Sequence, residues 1–241
     1  MAEETGKRRT AVRAYARAAG VLFFVSIVAG GFGEGYAPGQ LIVAGDAAAT
    51  LANLQAHETL HRLSFAAYLA EGLADTALAA LFYVLLEPVS RGLALIAAFM
   101  GLMSAALYAV CELFYFALPH LVATGALGAF PPAEAAALVL LSLKLFNYGA
   151  GMFLIFYGAA WIIRGALMIA SGYFPKLLGG LMILGGLGFV ARTLTAVLAP
   201  QYSSNLMLML LIPGGVLLGL WLVARGVDPD KWHARLVSGR E

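Results

Sequence analysis

The sequence predicts an all-α fold: a polytopic membrane helix bundle with six transmembrane helices, both termini cytoplasmic, forming a single integral membrane domain over residues 1–241. Three observations predict it. Of the 241 residues, 62% are hydrophobic and only 12% charged, about half the charged share of an ordinary soluble domain. Mean hydropathy is +0.87, and several apolar runs exceed the roughly 18 residues that identify a membrane-crossing helix. The basic residues, finally, are sorted by position along the chain. A soluble globular protein is thereby excluded, and the lipid bilayer of the cell membrane is the expected surroundings. A net charge of +2 and a pI near 8.7 are too mild to call for nucleic acid. The lone Cys111 rules out an internal disulfide framework.

The elements follow in order. Helix one is expected over about 15–35, its apolar run set between Arg17 and Glu34. Its rival reading is a cleaved signal peptide, because Lys7, Arg8 and Arg9 resemble an n-region, although such residues also precede retained first helices. Asp46 before Ala47-Ala48-Ala49-Thr50 reads as the N-cap of a short outer helix over about 46–60. Helices two and three are expected over about 63–86 and 92–116. Pro131-Pro132 before Glu134 is a helix-start signal, and helices four and five follow over about 145–170 and 177–198. Helix six, over about 206–224, carries Pro213-Gly214-Gly215, where a kink is expected. Small residues in helices four and five, among them Gly158, Gly179 and Gly186, predict close backbone packing.

Orientation follows from the basic residues. Lys7, Arg8, Arg9, Arg13 and Arg17 precede helix one, Arg91 lies between helices two and three, and Arg164 and Lys176 are assigned to the region between four and five. With Arg225, Lys231, Arg235 and Arg240 at the C-terminus, that places 12 of the 15 on one side. The positive-inside rule makes this side cytoplasmic.

Ionisable groups within membrane helices cost about 2.5–3.5 kcal/mol each on insertion scales, so those present need a reason. His57, His61, Ser64, Tyr68, Glu71 and Asp75 recur every three or four residues and share one face of helix two. Ser104, Tyr108 and Glu112 do the same on helix three, while Lys144, Asn147 and Arg192 come from helices four and five. Glu71, Asp75, Glu112, Lys144, Asn147 and Arg192 are therefore the candidate ligand-binding set. Either they line a polar cavity, open to the outside, that binds or transports a small ligand, or they pair as salt bridges that fix helix register.

His57-Glu58-Thr59-Leu60-His61 matches the zinc pattern H-E-x-x-H, which makes His57 and His61 candidate metal ligands of an extracytoplasmic hydrolase. A third ligand is not in reach along the helix, since Glu71 lies ten residues on, roughly 15 Å away. The competing reading is a helix start held by a Glu58–Arg62 i,i+4 pair. Cys111 reads as a small buried residue rather than a nucleophile. No motif calls for a cofactor or demands catalysis, and an accessory or scaffold subunit is the remaining class.

Residues 40–50, followed by Asn53, Glu58-Thr59-Leu60 and Arg62, resemble a bacterial membrane family called domain of unknown function 4386. So do Ser171-Gly172-Tyr173-Phe174-Pro175-Lys176-Leu177-Leu178-Gly179, Leu184-Gly185-Gly186-Leu187-Gly188, and Leu220-Trp221-Leu222-Val223-Ala224-Arg225-Gly226-Val227. The resemblance implies a multi-helix integral membrane protein with no assigned activity. It implies Glu58 and Arg62 as common elements, and His57 and His61 as departures from the family's pattern.

Overall fold

The computed structural model describes residues 2–126 and 128–238, with side chains from residue 10 onward except that of Asn205. Arg240, and the side chains of Lys7, Arg8 and Arg9 that the orientation count used, lie outside the described residues. Secondary structure among the described residues is helical. In chain order it comprises α1 (Ala2–Gly30), a π-helical segment (Gly31–Tyr36), α2 (Ala37–Leu41), α3 (Ala47–Ala56), α4 (Glu58–Leu86) and α5 (Arg91–Ala123). Then come α6 (Pro132–Ser171), α7 (Lys176–Leu198), the 3-10 turns Pro200–Tyr202 and Asn205–Leu210, α8 (Leu211–Ala224) and α9 (Pro229–Ser238).

Several boundaries differ from expectation for identifiable reasons. The first crossing does not stop near Glu34 but continues through the π-helical segment to Leu41. The outer helix is capped as expected, Ala49 N–H donating to Asp46 Oδ1 at 2.8 Å, but it ends at Ala56 and Glu58 already opens the second crossing. The expected Glu58–Arg62 pair forms there, Arg62 Nε donating to Glu58 Oε1 at 3.0 Å. α5 runs past its expected end near 116, through Pro119, to Ala123. α6 starts at Pro132, as its proline signal indicated, and extends far beyond the expected span. Pro213 lies in the first turn of α8, where a missing N–H breaks no helical bond. The backbone change falls instead at the junction with the preceding 3-10 turn.

The chain divides into two compact units, to both of which α1, α4, α5 and α6 contribute residues. The first contains α1 up to Phe24, Ala74–Ser104, and the chain from Phe153 onward. Its α6–α7 contact rests on glycines. A Cβ on Gly158 would stand 2.7 Å from the Gly186 oxygen, and one on Gly165 would stand 2.6 Å from the Gly179 oxygen. The two pairs are seven residues apart on each helix, so the same face repeats after two turns. In lipid, where the hydrophobic effect gives helices no reason to associate, such close backbone approach supplies the van der Waals contact. Around it Trp161 packs against Phe23 and Phe189, with ring centroids 5.8 and 5.7 Å away. The Leu85 carbonyl, one of the last four of α4 and so without a helical partner, accepts from Tyr173 Oη at 2.7 Å and Trp232 Nε1 at 3.2 Å.

Arg164 also belongs to this unit, and here the orientation count needs correcting. It lies inside α6, 4% exposed. Its guanidinium is 5.4 Å from the Phe82 ring centroid and donates to the Ala97 carbonyl at 3.5 Å. Gly101 makes room for it, since a Cβ there would meet Nη2 at 2.5 Å. A guanidinium enclosed in this way marks no membrane face.

Candidate functional site

The second unit, Val25–Leu73 with Ala105–Met152, holds most of the polar face that the sequence singled out. Its first element is the π-helical segment. Four of the seven residues Gly30-Gly31-Phe32-Gly33-Glu34-Gly35-Tyr36 are glycine, and the Ala37 N–H reaches back five residues to the Phe32 oxygen. Such segments are rare, and they recur at functional sites because the widened turn re-aims side chains. Two of the glycines have a spatial task. A Cβ on Gly30 would lie 2.7 Å from Glu71 Oε1, and one on Gly33 would lie 3.3 Å from the Ser64 carbonyl. Their absence lets α4 close on the first crossing and seats the Glu71 carboxyl against its backbone.

Tyr108, on α5, ties these elements together. Its hydroxyl lies 2.7 Å from Glu34 Oε1 and 2.9 Å from Glu71 Oε2. A phenol carries one proton and can donate to one oxygen at a time. Both short contacts are full hydrogen bonds at once when one carboxyl is protonated and donates to the phenol oxygen. One turn along α5, Glu112 is 3% exposed, and neither of its oxygens has a hydrogen-bond partner. The Tyr68 hydroxyl, on a side chain 1% exposed, is likewise unpartnered. It lies within electrostatic reach of Glu112 first, then of Glu34 and Glu71, as Glu112 does of Glu34. The surroundings are aromatic: Tyr68 packs on Tyr108, Tyr115 and Phe146 with ring centroids 5.6, 5.1 and 6.2 Å away. Glu34 is exposed, Glu71 half-buried and Glu112 buried, which grades the three carboxyls from the molecular surface inward.

Beside this cluster most polar contacts are closed, His61 Nδ1 being buried without a partner. Ser64 Oγ donates to the His61 carbonyl at 2.8 Å, so the 3.1 Å contact with Tyr115 has the phenol as donor. His61 is buried, with Nε2 3.4 Å from the Tyr115 carbonyl. That carbonyl is available because Pro119, four residues on, has no N–H to offer it. This exchange explains how α5 continues through a proline.

The sequence-predicted residues thus separate. Glu71 and Glu112 come together in the second unit. Lys144 and Asn147 belong to the same unit but are exposed. Asp75 and Arg192 belong to the first unit, where Asp75 is within electrostatic reach of Arg164. His57 ends α3 with an exposed ring whose Nδ1 meets the Asn53 carbonyl, whereas His61 faces Tyr115. Among the described residues no three His, Cys, Asp or Glu side chains are placed to share a metal ion. Glu34 was not in the predicted set. Its signal was present as the one acidic residue among the glycines that end the first apolar run.

Six helices among the described residues are long and apolar enough to cross a bilayer. Large apolar side chains stand exposed along them, such as Val28, Leu73, Phe99 and Leu113, where a water-facing helix would be polar. The fold defines a multi-pass integral membrane protein. The chain belongs to the family described as Domain of unknown function (DUF4386), whose model matches residues 18–226. No curated protein and no solved structure is significantly similar to it.

Proposed function

We propose that this protein resides in the cell membrane with both termini on the cytoplasmic side, and that it binds or transports a small ligand at the Glu34–Tyr108–Glu71–Glu112 cluster. The observation that carries the reading is the buried Glu112 carboxyl with both oxygens unpartnered. A satisfied salt-bridge core would leave no such group, because an unpaired buried polar atom costs about 1–3 kcal/mol, and more when charged. Retaining that cost is reasonable where a ligand supplies the missing partner. The unpartnered Tyr68 hydroxyl beside it offers a second polar anchor, and the surrounding aromatic rings offer apolar contact of the kind small-ligand sites generally have.

Thermal unfolding of the detergent-purified protein tests this against organic cations, carboxylate anions and neutral sugars. One class is expected to raise the unfolding temperature of the wild type and to leave Glu112→Gln unmoved. No response to any class, or an equal response in both proteins, would count against the reading.

A further inference from the structure

Building on the ligand site just proposed, we infer that its ligand is a small organic ammonium or phosphonium cation, and that the cation is taken up in exchange for a proton.

Three features of the second unit argue for this class. The unpartnered polar atoms, the Glu112 carboxyl oxygens and the Tyr68 hydroxyl, include acceptors able to meet N–H donors or an onium charge, the hydroxyl being able to donate as well. The surrounding ionisable groups are all acids. Those facing Glu112, Tyr68 and Tyr108 are Glu34 from the π-helical segment, Glu71 from α4, and Cys111 and Tyr115 from α5. α6 presents Phe146, its Lys144 being exposed. The surroundings, lastly, are the mutually packed rings of Tyr68, Tyr108, Tyr115 and Phe146, side chains of a type whose π-face attracts a weakly hydrated organic cation. An inorganic ion would instead need several oxygens converging at about 2.0–2.6 Å. The described carboxyls, imidazoles and thiols include no such convergent set.

The proton follows from the contacts of Tyr108. Its hydroxyl, between Glu34 Oε1 at 2.7 Å and Glu71 Oε2 at 2.9 Å, holds both as full hydrogen bonds when one of the two carboxyls carries a proton. A cation entering beside Glu112 adds one positive charge to the acidic cluster. Loss of that carboxyl proton to bulk water returns the net charge to its former value. The exchange forms and breaks no covalent bond other than this O–H bond, and no electron moves. Because the occupied site holds one proton fewer than the empty one, raising the pH favours binding. In the pH range where the empty site keeps its proton, affinity should rise about tenfold per pH unit.

Tetraphenylphosphonium, added to purified protein in weakly buffered detergent solution, serves as the probe, with binding read by calorimetry and proton release by an indicator dye. Saturable binding is expected with release of about one proton per cation, tighter binding at higher pH, and loss of both in Glu112→Gln. Tyr68→Phe, which keeps the ring and removes only the hydroxyl, guards against a folding failure of the first variant and should respond to ammonium probes such as hexylammonium with about tenfold weaker binding. Binding with no proton release and no pH dependence would overturn the exchange. Binding of carboxylates or sugars but of no organic cation would overturn the ligand class while leaving the ligand site standing. Failure of every class to bind would remove both. Sodium chloride reproducing the proton release without an organic cation would also overturn the class.

Discussion

Gly30 and Glu112 show how single residues set the character of the second unit. Gly30 is required because the Glu71 carboxyl occupies the place of its side chain, 2.7 Å from where a Cβ would stand. Gly31, its neighbour, has nothing within 4 Å of that position. Gly30→Ala should therefore displace the flexible end of Glu71 from Tyr108, at the cost of that hydrogen bond, about 0.5–1.5 kcal/mol. Gly31→Ala should be neutral or slightly stabilising, because alanine favours helix by about 1 kcal/mol. Unfolding of both variants in one detergent checks the difference, and equal effects would count against the seating of Glu71. Glu112 contrasts with Gly30: it satisfies no partner in the fold, so its presence is not explained by packing. Glu71 and Glu112 were legible from sequence by their spacing on two helices. Glu34 was not, because a flanking acid at the end of an apolar run usually lies at the interface. Only the π-helical turn brings it to Tyr108.

At the scale of elements, boundaries were set by partners remote in sequence. α5 continues beyond its expected end near 116 because His61 takes over the carbonyl that Pro119 leaves without a donor. The capping of α3 by Asp46 and the start of α6 at Pro132 were legible, since each depends on residues within one turn. The α6–α7 contact makes a sharper test. Gly165→Val places a side chain where the Gly179 oxygen stands 2.6 Å from the Cβ position, whereas Gly180 is open. We expect Gly165→Val to lower stability by about 1–3 kcal/mol or more and Gly180→Ala to leave it within about 0.5 kcal/mol of wild type or above it. Thermal unfolding of the pair measures this. If the two behave alike, the glycine contact is not what joins α6 to α7.

For the molecule as a whole, composition and apolar run length already specified a multi-pass helical membrane protein, and family membership agrees. What composition could not reveal was which charges face which surroundings. Arg164 entered the orientation count although it is enclosed in the first unit, and Asp75 and Arg192 fall outside the unit that holds Glu71 and Glu112. Eleven basic residues still argue for cytoplasmic termini. With Cys111 replaced by alanine, a single cysteine at Thr124 should react with a membrane-impermeant maleimide in intact cells, while cysteines at Thr10 or Ser238 should react only after lysis. The reverse pattern would invert the orientation.

The central claim is that Glu112 is kept for a ligand and not for the fold. Replacing it with an apolar side chain of similar length, Glu112→Met, separates the two most directly through the unfolding free energy in detergent with and without tetraphenylphosphonium. The account predicts a variant more stable than wild type by about 1–3 kcal/mol, the cost of an unsatisfied buried group, and no longer stabilised by the cation. A variant less stable than wild type, with cation stabilisation intact, would contradict it.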